Sequence, residues 1–431
     1  MNRFLPLALL VCFPLASNAC LNDRDSDALA VQNNRFPDAM RVITGRFERN
    51  PPRFYQMRIA RVERELKSKP RDFALYDDLA VAHDKLGDDE TALKIMAQKR
   101  ALLPVFNSKD KANKEAWYRF FANDGTFRAH RFLKSGAKVE RIGEMKRARE
   151  EIKRALQIKP NAHFGRERVQ LMVMDWTLAT KKGKANKTLG EWIEARDGWD
   201  INDEGAGEIV EFKPDGTSTV VRPGQKGDLP VQIAAKQTHR RRTAEGLAGL
   251  IVLGAAWQSP DVFQALAQSL DVKDTVALRF LVLLRCRELL QSGHKSLAGL
   301  TVASVNESLE ENEALEEGVG INKKNEKTLN QLFWQLRNEA DTWSANRAYF
   351  MESKFAQNKH PDTDARFWDG WKNAAPPSLD VAWFNERAST QRLINNSVLL
   401  FKVIVFGVPA LLIAALVWFR GRRAKRKTSL V

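Results

Sequence analysis

Chemistry in a chain of 431 residues is first sought in its histidines, and this one has six: His83, His130, His163, His239, His294 and His360. None stands in a His-Glu-x-x-His motif, and no spacing sets two of them on one helical face, so no zinc site is legible. Asp23, Asp25 and Asp27 (DRDSD) begin like a calcium loop but lack its glycine and distal glutamate, which favours a solvated segment. There is no G-x-S-x-G elbow, P-loop or Rossmann fingerprint. The stretches GEWIEARDGWD (190–200) and DARFWDGW (364–371) mix Trp with Asp, as sugar sites do, without the paired acid and base of a hydrolase. They carry the alternative reading, an envelope enzyme acting on glycan or peptide material with a site in 183–396 and Asp369 as the test residue. No cofactor or metal is expected. The cysteines Cys12, Cys20 and Cys286 are too few for a disulfide framework, though a Cys20–Cys286 bridge is conceivable in an oxidising compartment.

The two ends read as addresses. Residues 1–19 have one Arg, a short apolar stretch and Ser17-Asn18-Ala19, the layout of a secretory signal peptide. Cys20 raises lipidation, but Ser17 and Asn18 do not fit the usual lipobox, so ordinary cleavage is favoured. Val398 to Phe419 holds only Lys402 as a charge and is long enough to cross a bilayer; RGRRAKRK follows at once. The positive-inside rule puts that tail in the cytoplasm. The expectation is a single-pass protein of the bacterial cytoplasmic membrane with its bulk in the periplasm. The net charge of +16 is partly these flanks: 1–19 and 398–431 hold eight Lys/Arg and no acid. That weakens a nucleic-acid reading, and none is expected.

Between the addresses, ALYDDLAVAHDKLGDDETALKIMAQKRALLP (74–104) sets Leu75, Tyr76, Leu79, Ala80, His83 and Leu86 on one side of a helix. Gly87-Asp88-Asp89 turns the chain, and Ala92, Leu93, Met96 and Leu103 stripe a second helix that Pro104 ends. His83 therefore reads as packing. A second copy follows with Phe132, Gly136, Gly143, Ala148, Ile152, Ala155 and Pro160. Both resemble the tetratricopeptide repeat (TPR), a helical hairpin of 34 residues. Met96 stands where the pattern has Phe, and Lys99 where it has its second Ala. Weaker echoes lie at 54–70 and 250–270. The whole also resembles uncharacterised bacterial membrane-anchored TPR proteins with a signal peptide and one C-terminal span.

The resemblance implies a mainly α fold, a TPR-like helical-hairpin array (α-solenoid). EIVEF-KPDGT-STVV (208–221) adds a small β-hairpin insertion, and one C-terminal transmembrane helix completes the chain. The expected organisation is 1–19 signal peptide, 20–70 N-terminal segment with a degenerate repeat, and 71–165 repeats. Residues 166–240 are a helix with the insertion, 241–396 a TPR-like helical region, 397–419 the span and 420–431 the basic tail.

Repeat arrays bind through the concave face lined by their first helices. The groove residues implied here are Asp77, Asp78, Val81, Asp84 and Lys85 in the first repeat and Lys134, Glu140 and Arg141 in the second. An acidic first repeat beside a basic second one suggests a partner of mixed charge. Residues 109–159 carry 15 Lys/Arg against 7 Asp/Glu, while Glu307–Glu317 holds six acids. Solvated faces explain this, and contact of the basic face with anionic headgroups is the sharper alternative. The expected function is a non-catalytic scaffold or assembly protein that binds a protein or peptide partner.

Overall fold

The computed structural model describes residues 39–160, 165–183, 187–197, 209–212, 218–221, 229–254, 256–270, 276–313 and 323–375. The chain divides into two units, Met1–Asn373 and Ala374–Val431, and all but the first two residues of the second lie outside those described. The expected signal peptide, the DRDSD segment, Cys20 and the expected span at 398–419 lie outside them too. Among the described residues no helix is long and apolar enough to cross a membrane.

The first unit is mainly helical. In chain order come α1 (Ala39–Thr44), α2 (Pro52–Ser68), α3 (Phe73–Lys85), α4 (Asp89–Leu102), α5 (Lys111–Lys134), α6 (Ile142–Ile158), α7 (Arg166–Lys181) and α8 (Leu189–Asp197). Two strands then pair antiparallel, β1 (Ile209–Phe212) and β2 (Ser218–Val221), with Ile209 opposite Val221 and Phe212 opposite Ser218. The helices resume with α9 (Leu229–Leu253), α10 (Pro260–Ser269), α11 (Val276–Gln291), α12 (Val302–Glu313) and α13 (Lys323–Phe355).

Local chemistry explains the boundaries. Asp72, Asp88 and Asp110 each accept backbone N–H bonds at the start of α3, α4 and α5, satisfying donors that have no partner within the helix. Gly87 and Gly136 close α3 and α5 with φ of 90° and 81°, a conformation a side chain resists. The short connections fold each helix back on its predecessor. Val62, Leu75, Leu79, Ala80, Ala92, Met96, Phe120 and Phe127 form one core across α2 to α5. Phe132, Met145, Ala148, Ile152, Leu171 and Met174 form the next across α5 to α7. Gly125 sits where α5 meets α6: a methyl there would lie 2.9 Å from the Ala148 carbonyl and from Ile152. Any larger residue would push the two helices apart.

An open array leaves its first and last helices apart, but here they meet. Arg46 pairs with Glu339 at 2.7 Å, Arg337 donates to the Thr44 carbonyl at 2.8 Å, and Arg347 donates to the Arg49 carbonyl at 3.1 Å. Beyond α13, Asp362 accepts from Arg58 Nε and Nη2 at 2.8 and 2.7 Å and from Arg61 Nη2 at 2.7 Å. Phe54, Phe355 and Phe367 pack beside this clasp, and His360 stacks on Phe54 with centroids 4.6 Å apart. Arg58 is fully buried.

Removing one partner of a buried pair strands the other charge. Asp362→Ala is therefore expected to lower the unfolding free energy by about 3–5 kcal/mol, read from the shift of the urea midpoint. An exposed carboxylate such as Glu63 should give a change within about 0.5 kcal/mol when replaced by Ala.

Candidate functional site

The implied groove residues do not line an open face. Asp77, Asp78, Val81 and Asp84 are buried, and Lys85 is half-buried. The reason is α5: at 24 residues it runs about 36 Å, and it packs on α3 as well as on α6. The side of α3 that would face a groove is covered by protein.

Asp77 is the clearest case. Its carboxylate receives Lys99 Nζ at 2.6 and 2.7 Å and Asn123 Nδ2 at 3.1 Å, tying α3, α4 and α5 at one point. Both charged side chains are fully enclosed. Burial pushes the Asp77 carboxyl up to about 6, with Lys99 opposing, and burial pushes the Lys99 ammonium down.

Asp84 and Lys134 do come together, with two residues not expected there. His130 Nδ1 lies 2.9 Å from Asp84 Oδ1, and Lys134 Nζ donates to Asp89 Oδ1 at 2.7 Å. Burial alone would raise the Asp84 carboxyl, but His130 and a hydrogen bond from Asp89 outweigh it and hold Asp84 at about 2. Asp89 moves the other way, to about 6, through burial and the neighbouring Asp84 charge, against Lys134. Ligand atoms of Asp84, Asp89 and His130 lie within 4.8 Å of one another, a donor set able to hold a divalent cation. Lys134 already supplies positive charge at that point.

Part of the charge contrast between the two helical hairpins is spent on contacts between helices. Arg131 pairs with Glu90 at 2.8 Å, adding a third cross-link to Asp84–His130 and Asp89–Lys134. Glu140 is exposed on the 3-10 turn 139–141, and Arg141 pairs with Glu144 at 2.7 Å. The Trp–Asp stretch at 364–371 is a packed cap: Trp368 stacks on Phe350 at 5.9 Å with Arg347 over its ring, and Asp369 is exposed. Cys286 is buried, and burial pushes its thiol up to about 12.

Beside His130 opens a cavity of about 510 Å³. Its walls come from α5 (Thr126, His130, Leu133), α7 (Gln170, Val173, Thr177, Lys181), the end of α9 (Leu250) and the segments 256–262 and 295–297. Most of the lining is apolar, and several of its polar groups are hydrogen-bonded within the protein. Gln170 donates to Thr126 at 3.0 Å, and Thr177 to the Val173 carbonyl at 2.8 Å. Asp261 accepts from Ser296 at 2.5 Å and from the Leu297 amide at 2.8 Å. Of the implied groove residues none lines it. The one sequence signal was the placing of His130 and Lys134 a turn apart on a face shared with Leu133 and Thr126. Comparison with protein-family models, with curated proteins and with solved structures returns no match.

Two outcomes follow from these ion pairs. Lys99→Met is expected to cost about 3–5 kcal/mol by stranding Asp77, and Lys99→Met combined with Asp77→Leu to recover more than half of it. Both are read from urea midpoints at neutral pH. The second concerns pH. Asp89 has a folded pKa above its unfolded value of about 3.9, so the folded state binds the extra proton and gains stability as pH falls from about 6 to 4. Asp84, with a depressed value, contributes above about pH 4, and this is lost as pH falls toward 2. Asp89→Asn should reduce the rise between pH 6 and 4 in a urea-midpoint series to the share that Asp77, also raised to about 6, contributes, and leave a loss below pH 4.

Proposed function

We propose that the chain is a non-catalytic TPR-type binding protein, exported and anchored to the bacterial cytoplasmic membrane by residues 397–419. On the periplasmic side it takes a segment of a protein or peptide partner into the cavity between α5, α7 and α9. The cavity carries this reading. Its volume of about 510 Å³ suits a few side chains of a partner segment and is too small for a folded domain. Leu133, at 42% exposure, and the half-buried Val173, Leu250 and Leu297 line it, apolar surface that a bound segment would remove from water. Helical hairpins in succession, with glycine turns at Gly87 and Gly136, support the repeat reading.

A photo-crosslinking side chain at Leu133 in the full-length protein in cells is expected to capture a defined partner. Val173→Trp, which fills the cavity from a half-buried position, should reduce that capture roughly tenfold, or about 1.4 kcal/mol, without moving the urea midpoint. Undiminished capture would take the cavity out of the reading.

A further inference from the structure

The loop joining α4 to α5 turns apolar side chains outward. Val105 is 89% exposed, Phe106 45% and Leu102 38%, and Pro104 between them is exposed as well. The α3–α4 turn, Leu86–Asp88, presents no large apolar group in that way, and the α5–α6 connection exposes one, Val139 at 55%.

The exposure is built in. Asn113 on α5 accepts from the Asn107 amide at 2.8 Å and donates to the Val105 carbonyl at 3.0 Å. Trp117 Nε1 donates to the Pro104 carbonyl at 2.9 Å, and Asn107 accepts from the Lys109 amide at 3.0 Å. These bonds use the loop's backbone groups and leave Val105 and Phe106 on the outside. Residues 100–114 carry Arg100, Lys109, Lys111 and Lys114 against one carboxylate, Asp110, that caps α5, and Glu151 from α6 faces Arg100. Arg100 lies over the Trp117 and Phe120 rings.

We propose that residues 102–114 form a contact with the surface of an anionic lipid bilayer. Val105 and Phe106 enter the headgroup–acyl boundary, and Lys109, Lys111 and Lys114 meet the lipid phosphates. An apolar tip with a cationic rim is the chemistry of an interfacial anchor. A stable protein interface needs about 800 Å² from each partner, and a tip of three apolar side chains without a groove does not offer it. The rim selects for anionic headgroups. The contact is independent of the cavity and of whatever partner binds there.

The test places an environment-sensitive dye on Val105→Cys in the full-length chain, with Cys12→Ser and Cys20→Ser and the buried Cys286 retained. Emission is expected to shift to shorter wavelength with vesicles of mixed phosphatidylcholine and phosphatidylglycerol, and much less with phosphatidylcholine alone. Lys109→Glu, Lys111→Glu and Lys114→Glu together should abolish the shift with helix content unchanged by circular dichroism. The same dye on Tyr349→Cys, at a site 80% exposed, should not respond. No shift with the anionic vesicles overturns the proposal. So does a shift that charge reversal leaves intact, or one that Tyr349→Cys reproduces. A shift that grows with protein concentration in the absence of vesicles would assign the tip to a protein contact instead. No partner is present in this assay, so its failure leaves the cavity reading standing.

Discussion

The buried pair of Asp77 and Lys99 is the constraint around which the front of the molecule is arranged. At 2.6 Å, with both side chains enclosed, it survives only if α3, α4 and α5 hold their register. Asn123 supplies the third contact and brings α5 into the same condition. Such a pair adds little net stability over a hydrophobic substitute, because desolvation offsets most of the attraction. Its effect is on uniqueness: a helix slipped by one residue would leave two unpaired charges in the core. The surrounding apolar cluster supplies the bulk of the cohesion, and the pair selects one way of assembling it.

The same logic recurs along the chain. Asp84–His130, Asp89–Lys134 and Glu90–Arg131 stitch α3 and α4 to α5, and Asp362 receives both Arg58 and Arg61 where the two ends of the unit meet. A chain with 69 basic and 53 acidic residues spends part of its charge inside, on contacts between helices. That removes Asp77, Asp78 and Asp84 of α3 from the surface and leaves the proposed recognition to the apolar cavity beyond His130 and to surfaces such as the 103–110 loop.

Closure of the first unit also bears on the proposed binding. An array whose ends are free can flex to fit a ligand, whereas one tied through Arg46–Glu339, Arg337–Thr44 and Arg58–Asp362 holds its inner walls more nearly fixed. Fixed walls would lower the ordering cost of the proposed binding and narrow the range of segments that fit.

Much of the helical framework was legible in the residues themselves. The spacing of Leu75, Leu79, Ala92 and Met96, the capping aspartates and the turn glycines Gly87 and Gly136 report local backbone and one-sided burial, which periodicity carries directly. The site was not legible. Whether Asp77 and Asp84 face a groove or a neighbouring helix depends on how far α5 extends and on Gly125 letting α6 approach, which no pattern within α3 records. Lys99 in the place of a small repeat residue was the visible irregularity, but its partner lies 22 residues away. The meeting of 39–68 with 323–371 rests on pairs about 300 residues apart. Periodicity along a chain encodes which face of a helix is apolar, and only the packed structure decides what covers the rest.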